Sequence, residues 1–217
     1  MAMRSLLLVP SGDSAAVARG LASGADALVI DAGAAPRARA GGPAIFARAR
    51  PLDAADALAE IEAAAAMGAR GFAMPRAAGG GDVQRLGARL AVQEARLGLP
   101  DGTLQILAFA SETPQAIFGL ASYRGASRRL VGLVFTAAPL AASLRAAGPN
   151  RSPLRLARDL TLFAARAAGA LALDAPFLDA DDLDGLRAEA IAARDDGFDG
   201  KSAISPAQVA IINAVFR

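Results

Sequence analysis

The sequence predicts a (β/α)8 barrel, the TIM-barrel fold, as one domain spanning residues 1–217. Eight short apolar runs recur along the chain, each bounded by turn residues and apolar through its middle, as parallel strands covered by helices must be. Segments of helical periodicity separate them, and repeated strand–helix alternation argues for a closed parallel sheet. The length permits burial of about 70% of the surface that the unfolded chain exposes, enough for one sizeable core. A doubly wound open sheet is the other arrangement compatible with the alternation.

The first strand is read at Leu6 to Val9 and the second at Ala27 to Asp31, with a helix between them opened by Asp13-Ser14 and closed at Gly24. Ser11-Gly12-Asp13 is expected to cap that helix rather than to receive a phosphate at its N-terminus, because Asp13 is a poor neighbour for an anion. Strand Ala44 to Arg48, helix Asp53 to Met67, strand Gly71 to Met74 and helix Asp82 to Leu97 follow. Next come strand Leu104 to Phe109, helix Pro114 to Ser122, strand Leu130 to Phe135, helices within Leu140 to Ala168, and strand Ala170 to Asp174. Helix Asp181 to Asp195 and strand Lys201 to Ile204 complete the barrel, and Ser205-Pro206 opens a last helix with serine as N-cap and proline at the first helical position. Its Val209, Ile212 and Phe216 form one stripe to bury.

Two irregularities stand out. The twelve residues between Asp31 and Ala44 are too short and too glycine-rich for a crossover helix, so one outer helix is expected to be missing or vestigial after the second strand. That loss would uncover apolar barrel surface for an interface. Gly79-Gly80-Gly81 reads as a mobile loop.

Composition narrows the chemistry. With no cysteine there is no thiolate nucleophile and no disulfide, which fits a reducing, cytoplasmic address. With no histidine, acid–base work rests on carboxylates, arginine, one lysine, hydroxyls or backbone, and oxygen-ligated Mg²⁺ is favoured over zinc or copper. The net charge of +2 and arginines scattered among acids argue against nucleic acid as a partner. No apolar run reaches the roughly 20 residues of a membrane span. Glu60, Glu62, Asp181, Asp182 and Asp184 read as solvated helix faces or first turns.

Active sites of such barrels lie at the carboxyl ends of the strands. There the sequence places Asp31, Arg48, Arg76, Glu112 and Asp174. These could form an arginine clamp for a carboxylate or phosphate beside an oxygen-ligated cation, or merely ion pairs and caps at the barrel end. Lys201, the one lysine among 23 basic residues, could act as a Schiff-base amine or pair structurally with Asp199 or Asp174.

Arg4-Ser5-Leu6-Leu7-Leu8-Val9-Pro10, Gly24 to Asp31, Arg48 in Ala-Arg-Ala-Arg-Pro-Leu, Pro75-Arg76, Ser111-Glu112-Thr113-Pro114 and Gly197 to Gln208 occur in the order and spacing of one family's landmarks. The chain resembles the citrate lyase beta-subunit and HpcH/HpaI aldolase family, as a diverged and shortened member. The resemblance implies a TIM barrel, commonly a homotrimer. It also implies Mg²⁺-dependent cleavage or formation of a carbon–carbon bond in hydroxy acids or their coenzyme A or carrier-protein thioesters. Carried over, Glu112 is a metal-ligating and catalytic carboxylate, Arg48 the catalytic clamp on the substrate, and Arg4 a second substrate contact. Such cleavage produces an enolate, which a cation and a guanidinium would stabilise.

Three departures bear on activity. Where the family has Phe-Gly-x-Glu-Asp-Leu, with aspartate as second metal ligand, this chain has Phe135-Thr136-Ala137-Ala138-Pro139-Leu140. The family's acidic pair after the second strand is replaced by Gly33-Ala34, and the histidine before the last helix by Ser205. Two readings follow: a citrate lyase beta-subunit-like protein with a degenerate, catalytically impaired or inactive site, or an active lyase with a rearranged metal site using Glu112 and Arg48. Asp31 or Asp174 is the available substitute ligand. A non-catalytic barrel that keeps the arginine clamp as a subunit or binding module is the second functional class.

Overall fold

A computed structural model describes residues 3–10, 12–50, 54, 56–148 and 150–217. Eight parallel strands close into a barrel in chain order: β1 (Ser5–Leu8), β2 (Ala27–Asp31), β3 (Ala44–Arg48), β4 (Gly71–Met74), β5 (Gln105–Phe109), β6 (Leu130–Val134), β7 (Leu171–Asp174) and β8 (Gly200–Ala203). β8 pairs with β1 to complete the ring, so the open-sheet alternative falls. The helices are α1 (Ser14–Leu21), α2 (Ala57–Ala66), α3 (Gly80–Leu97), α4 (Pro114–Gly119), α5 (Ala137–Leu144), α6 (Ser152–Ala168), α7 (Leu183–Asp196) and α8 (Pro206–Val215). Ser11 and Asp53, expected to take part in helix starts, lie outside the described residues. Asp13 caps α1 by accepting the Ala16 N–H at 2.8 Å.

The two-residue period of a strand sorts side chains between two cores. Leu6, Val29, Phe46, Leu107, Val134 and Leu173 fill the barrel interior. Their neighbours Leu7, Leu28, Ile30, Ile45, Leu133 and Ala172 face the helices. Arg48, two residues beyond Phe46, therefore turns inward at the carboxyl end of β3, and Asp31 does the same at the end of β2.

No full helix follows β2, as expected; one short 3-10 turn, Ala32–Ala34, stands there. The outward-facing Ile30, Ile45 and Ala47 are nonetheless at most 2% exposed, because the connecting segment folds back on α2 and the Ala38 N–H donates to the Met67 carbonyl at 2.9 Å. The expected uncovered barrel surface is absent there. The expected glycine loop is also corrected. A Cβ on Gly80 would lie 2.1 Å from the Ser122 carbonyl oxygen, and the Gly80 N–H donates to Ser122 Oγ at 2.8 Å. Gly79 and Gly80 permit close packing against the 119–122 segment.

Candidate active site

A cleft of ≈ 680 Å³ opens at the carboxyl ends of the strands. Its inner lobe is the barrel mouth, with Leu8, Arg48, Phe109, Glu112 and Thr136. Its outer lobe runs between α6 and α7, past Leu154, Arg158, Phe177, Glu189 and Asp196.

Arg48 is held on two sides. Its Nη1 lies 3.5 Å from Asp31 Oδ1 across the paired strand ends, and Nη2 lies 3.5 Å from the Val9 carbonyl oxygen. The side chain keeps 33% of its surface exposed, so the guanidinium can still meet a ligand. That is the donor fork a carboxylate needs.

Glu112 follows β5 and precedes Thr113, whose hydroxyl caps α4 by accepting the Ala116 N–H at 3.2 Å. Its Oε2 accepts the Arg76 N–H at 2.5 Å, and its Oε1 accepts from the Thr136 hydroxyl at 3.5 Å. Arg76 adopts a left-handed conformation, φ 52°, uncommon for a residue with a side chain. Burial pushes the Glu112 carboxyl above the usual carboxylate range, opposed by the Arg76 N–H, the Arg76 guanidinium, Thr136 and Arg48. Ser111 fixes the neighbouring strand ends, its Oγ accepting the Thr136 N–H at 3.1 Å. Thr136 and Ser111 were not among the residues expected at the site.

Arg4 is not brought to this cleft. It precedes β1, and so lies at the amino end of the barrel, where its Nε and Nη2 clasp Asp26 at 2.9 and 2.7 Å. The expected second substrate contact gives way to a clamp on the start of β2. Asp174 lines the outer lobe of the cleft and not the barrel mouth: it faces the barrel–helix layer and takes Arg158 at 2.8 Å and Lys201 at 3.1 Å. Lys201 is fully buried, its ammonium donating to Asp174 and, at 2.6 Å, to Glu189. Asp199, the other expected partner, instead pairs with Arg166. This is the structural role, with the amine engaged by two carboxylates and pointing away from the lumen.

The residues fit Mg²⁺ poorly. Ala138 and Pro139 stand in the first turn of α5, where the resemblance requires an aspartate. Asp31 stands on β2, three strands round the barrel from β5, and is engaged by Arg48. Among the described residues no group of three or more His, Cys, Asp or Glu side chains could hold a metal ion. Mg²⁺ depends mainly on carboxylates to offset its reluctant dehydration, and among the described residues lining the inner lobe Glu112 alone supplies one. Enolate stabilisation here would fall to Arg48 and to hydrogen-bond donors of the rim.

Residues 4–206 match the sequence profile of the HpcH/HpaI aldolase/citrate lyase family. Citrate lyase subunit beta of Haemophilus influenzae is 31% identical over 78% of this chain and 58% of its own length. A (3S)-malyl-CoA thioesterase of Cereibacter sphaeroides is 42% identical over 48% of this chain and 37% of its own. The chain thus spans little more than half of the first relative. Among solved structures, the protein CitE from Mycobacterium tuberculosis in complex with magnesium and acetoacetate superposes with a TM-score of 0.74 at 27% identity, covering 100% of this chain and 91% of that one.

Proposed function

The chain belongs to the HpcH/HpaI aldolase/citrate lyase family, and from that premise we propose that it is a citrate lyase beta-subunit-like barrel that binds a small acidic metabolite or acyl thioester but is impaired in Mg²⁺-dependent carbon–carbon cleavage. The observation that carries this reading is the Ala138-Pro139 pair at the start of α5, which offers Glu112 no second carboxylate at that position. Arg48 is the substrate clamp in this proposal, oriented by Asp31 and the Val9 carbonyl. Glu112, held by the Arg76 N–H and raised in pKa by burial, is a hydrogen-bonding group facing the ligand. A cytoplasmic address and a homo-oligomer, trimeric by family resemblance, complete the reading. Two observations bear on partners: no helix among the described residues is long and apolar enough to cross a membrane, and the net charge is +2.

Restoring the missing ligand tests the proposal. Calorimetric titration of Mg²⁺ should show no micromolar binding to the unaltered chain, whereas Pro139→Asp should gain it, since aspartate is well tolerated in a helix's first turn. Micromolar binding to the unaltered chain, abolished by Glu112→Ala, would instead favour the active lyase with a rearranged site.

A further inference from the structure

The cleft is much larger than a small diacid. Oxaloacetate has roughly nine non-hydrogen atoms, which fill at most about 270 Å³ if each takes about 30 Å³, the share of one water in the liquid. More than half of the ≈ 680 Å³ is then left over. What lines that remainder is largely apolar. Phe135, Leu154 and Ala175 belong to a core cluster of their own beside α5 and α6, and each also lines the cleft. Phe177 and Leu178 continue the wall, with Leu178 56% exposed. Ala137, Ala138 and Pro139 join the two lobes, since they follow Thr136 of the inner lobe and open α5 beside α6. The change that withholds a carboxylate from Glu112 therefore also makes the passage between the lobes apolar.

Charge differs between the lobes. Among the described residues lining the inner lobe, Arg48 is the one arginine. The outer lobe carries Arg155 and Arg158 against Asp174, Asp179, Glu189 and Asp196. Lys201, behind that wall, adds one cation and leaves a net −1. Most of these groups are committed to one another: Arg158 holds Asp174 at 2.8 Å and Asp196 at 2.7 Å, and Lys201 holds Asp174 and Glu189. A second carboxylate, or a phosphate-rich tail, would meet there a lining of its own sign. An uncharged apolar tail meets the cluster of Phe135, Leu154 and Ala175 instead.

We propose that the ligand of this cleft is an amphipathic monocarboxylic acid, with its carboxylate on Arg48 and an uncharged apolar tail running past Ala138 and Pro139 into the lobe between α6 and α7. The inference rests on the acid-binding function proposed above and shares its arginine clamp; the tail is what it adds. Leu178 is a specificity-determining residue at the exposed end of the lobe. Each methylene of the tail removed from water should raise affinity about fourfold until the lobe is filled. Octanoate, with roughly ten non-hydrogen atoms, fits the volume with room to spare.

Calorimetric titration of the whole chain in EDTA with butanoate, hexanoate, octanoate and oxaloacetate tests it, below the concentration at which octanoate forms micelles. Affinity should rise with chain length, and octanoate should bind at least tenfold more tightly than oxaloacetate. Octanedioate, the same tail ended by a second carboxylate, should bind at least tenfold more weakly than octanoate. Leu178→Asp should lower octanoate affinity at least fivefold and leave oxaloacetate unchanged, which also reports that the variant is folded. Leu178→Met should keep octanoate binding, and Arg48→Ala should weaken both ligands. Oxaloacetate binding beside a flat chain-length series would overturn the proposal and leave the acid-binding function standing. Binding of no acid at all would overturn both. Octanoate binding indifferent to Leu178→Asp or to Arg48→Ala would overturn the placement of tail or head. Octanedioate binding as tightly as octanoate, or coenzyme A binding more tightly, would assign the outer lobe to an anionic ligand and equally overturn it.

Discussion

The two ends of the barrel use the same residue types to opposite effect. At the amino end two arginines are matched by acids: Arg4 clasps Asp26, and the buried Arg129 meets Glu94 at 2.6 and 2.7 Å and Asp101 beside it. Glu94 is further tied to the Gly102 and Leu104 N–H groups at 3.0 and 2.6 Å. At the carboxyl end Arg48 holds Asp31 only at 3.5 Å and stays one-third exposed, while Glu112 is bound mainly by a backbone N–H. Saturated pairs fix strand starts, whereas the partly exposed Arg48 at the carboxyl end stands where a ligand can meet it. This matches the general division of such barrels into a stabilising and a reactive end.

The largest effect should come from the saturated end. Arg129→Ala leaves the buried Glu94 carboxylate without its cation and should cost about 3–5 kcal/mol in denaturant unfolding, with binding of oxaloacetate by the surviving fold unchanged. Equal loss of binding would show that the two ends are not separable. Gly80→Ala should cost about 1–3 kcal/mol, since its Cβ would overlap the Ser122 carbonyl; a variant as stable as the parent would restore the mobile-loop reading. Arg48→Ala should reduce acid binding at least tenfold, about 1.4 kcal/mol, with the melting temperature nearly unaltered. A large drop in melting temperature would make Arg48 a structural residue like Arg4.

The smallest effect concerns pH. Because burial raises the folded-state pKa of Glu112 above its unfolded value, its contribution favours folding fully below about pH 4.5 and is lost as pH rises through the folded value. Glu112→Gln should therefore gain about 2 °C in melting temperature relative to the parent at pH 7, and less at pH 4. An advantage that grows on acidification would mean that the carboxylate is stabilised in its charged form.

Sequence reasoning reads this molecule unevenly. Seven of the eight strands are legible because buried parallel strands are apolar runs with sharp ends, as Ala27 to Asp31 illustrates, whereas β8, Gly-Lys-Ser-Ala, is placed by the strand–helix alternation. The missing helix after β2 is legible because glycine and proline fill a segment too short for a crossover. Gly79 to Gly81 misleads because what constrains it, Ser122, lies some forty residues away and meets it only in the folded chain. Arg4 carries a usable signal: it precedes its strand, which places it at the amino end. Arg48 and Glu112 are legible by position at strand ends, but Thr136 and the Arg76 N–H are not, since a backbone donor has no sequence signature.

The central claim is that the carboxyl-end cleft retains its arginine clamp without a magnesium site. Calorimetric titration of oxaloacetate in EDTA, repeated with Mg²⁺, tests it most directly. The account predicts the same affinity in both, lost in Arg48→Ala and lowered by Glu112→Ala to the same extent with and without Mg²⁺. Binding that appears only with Mg²⁺, and disappears in Glu112→Ala, would contradict it.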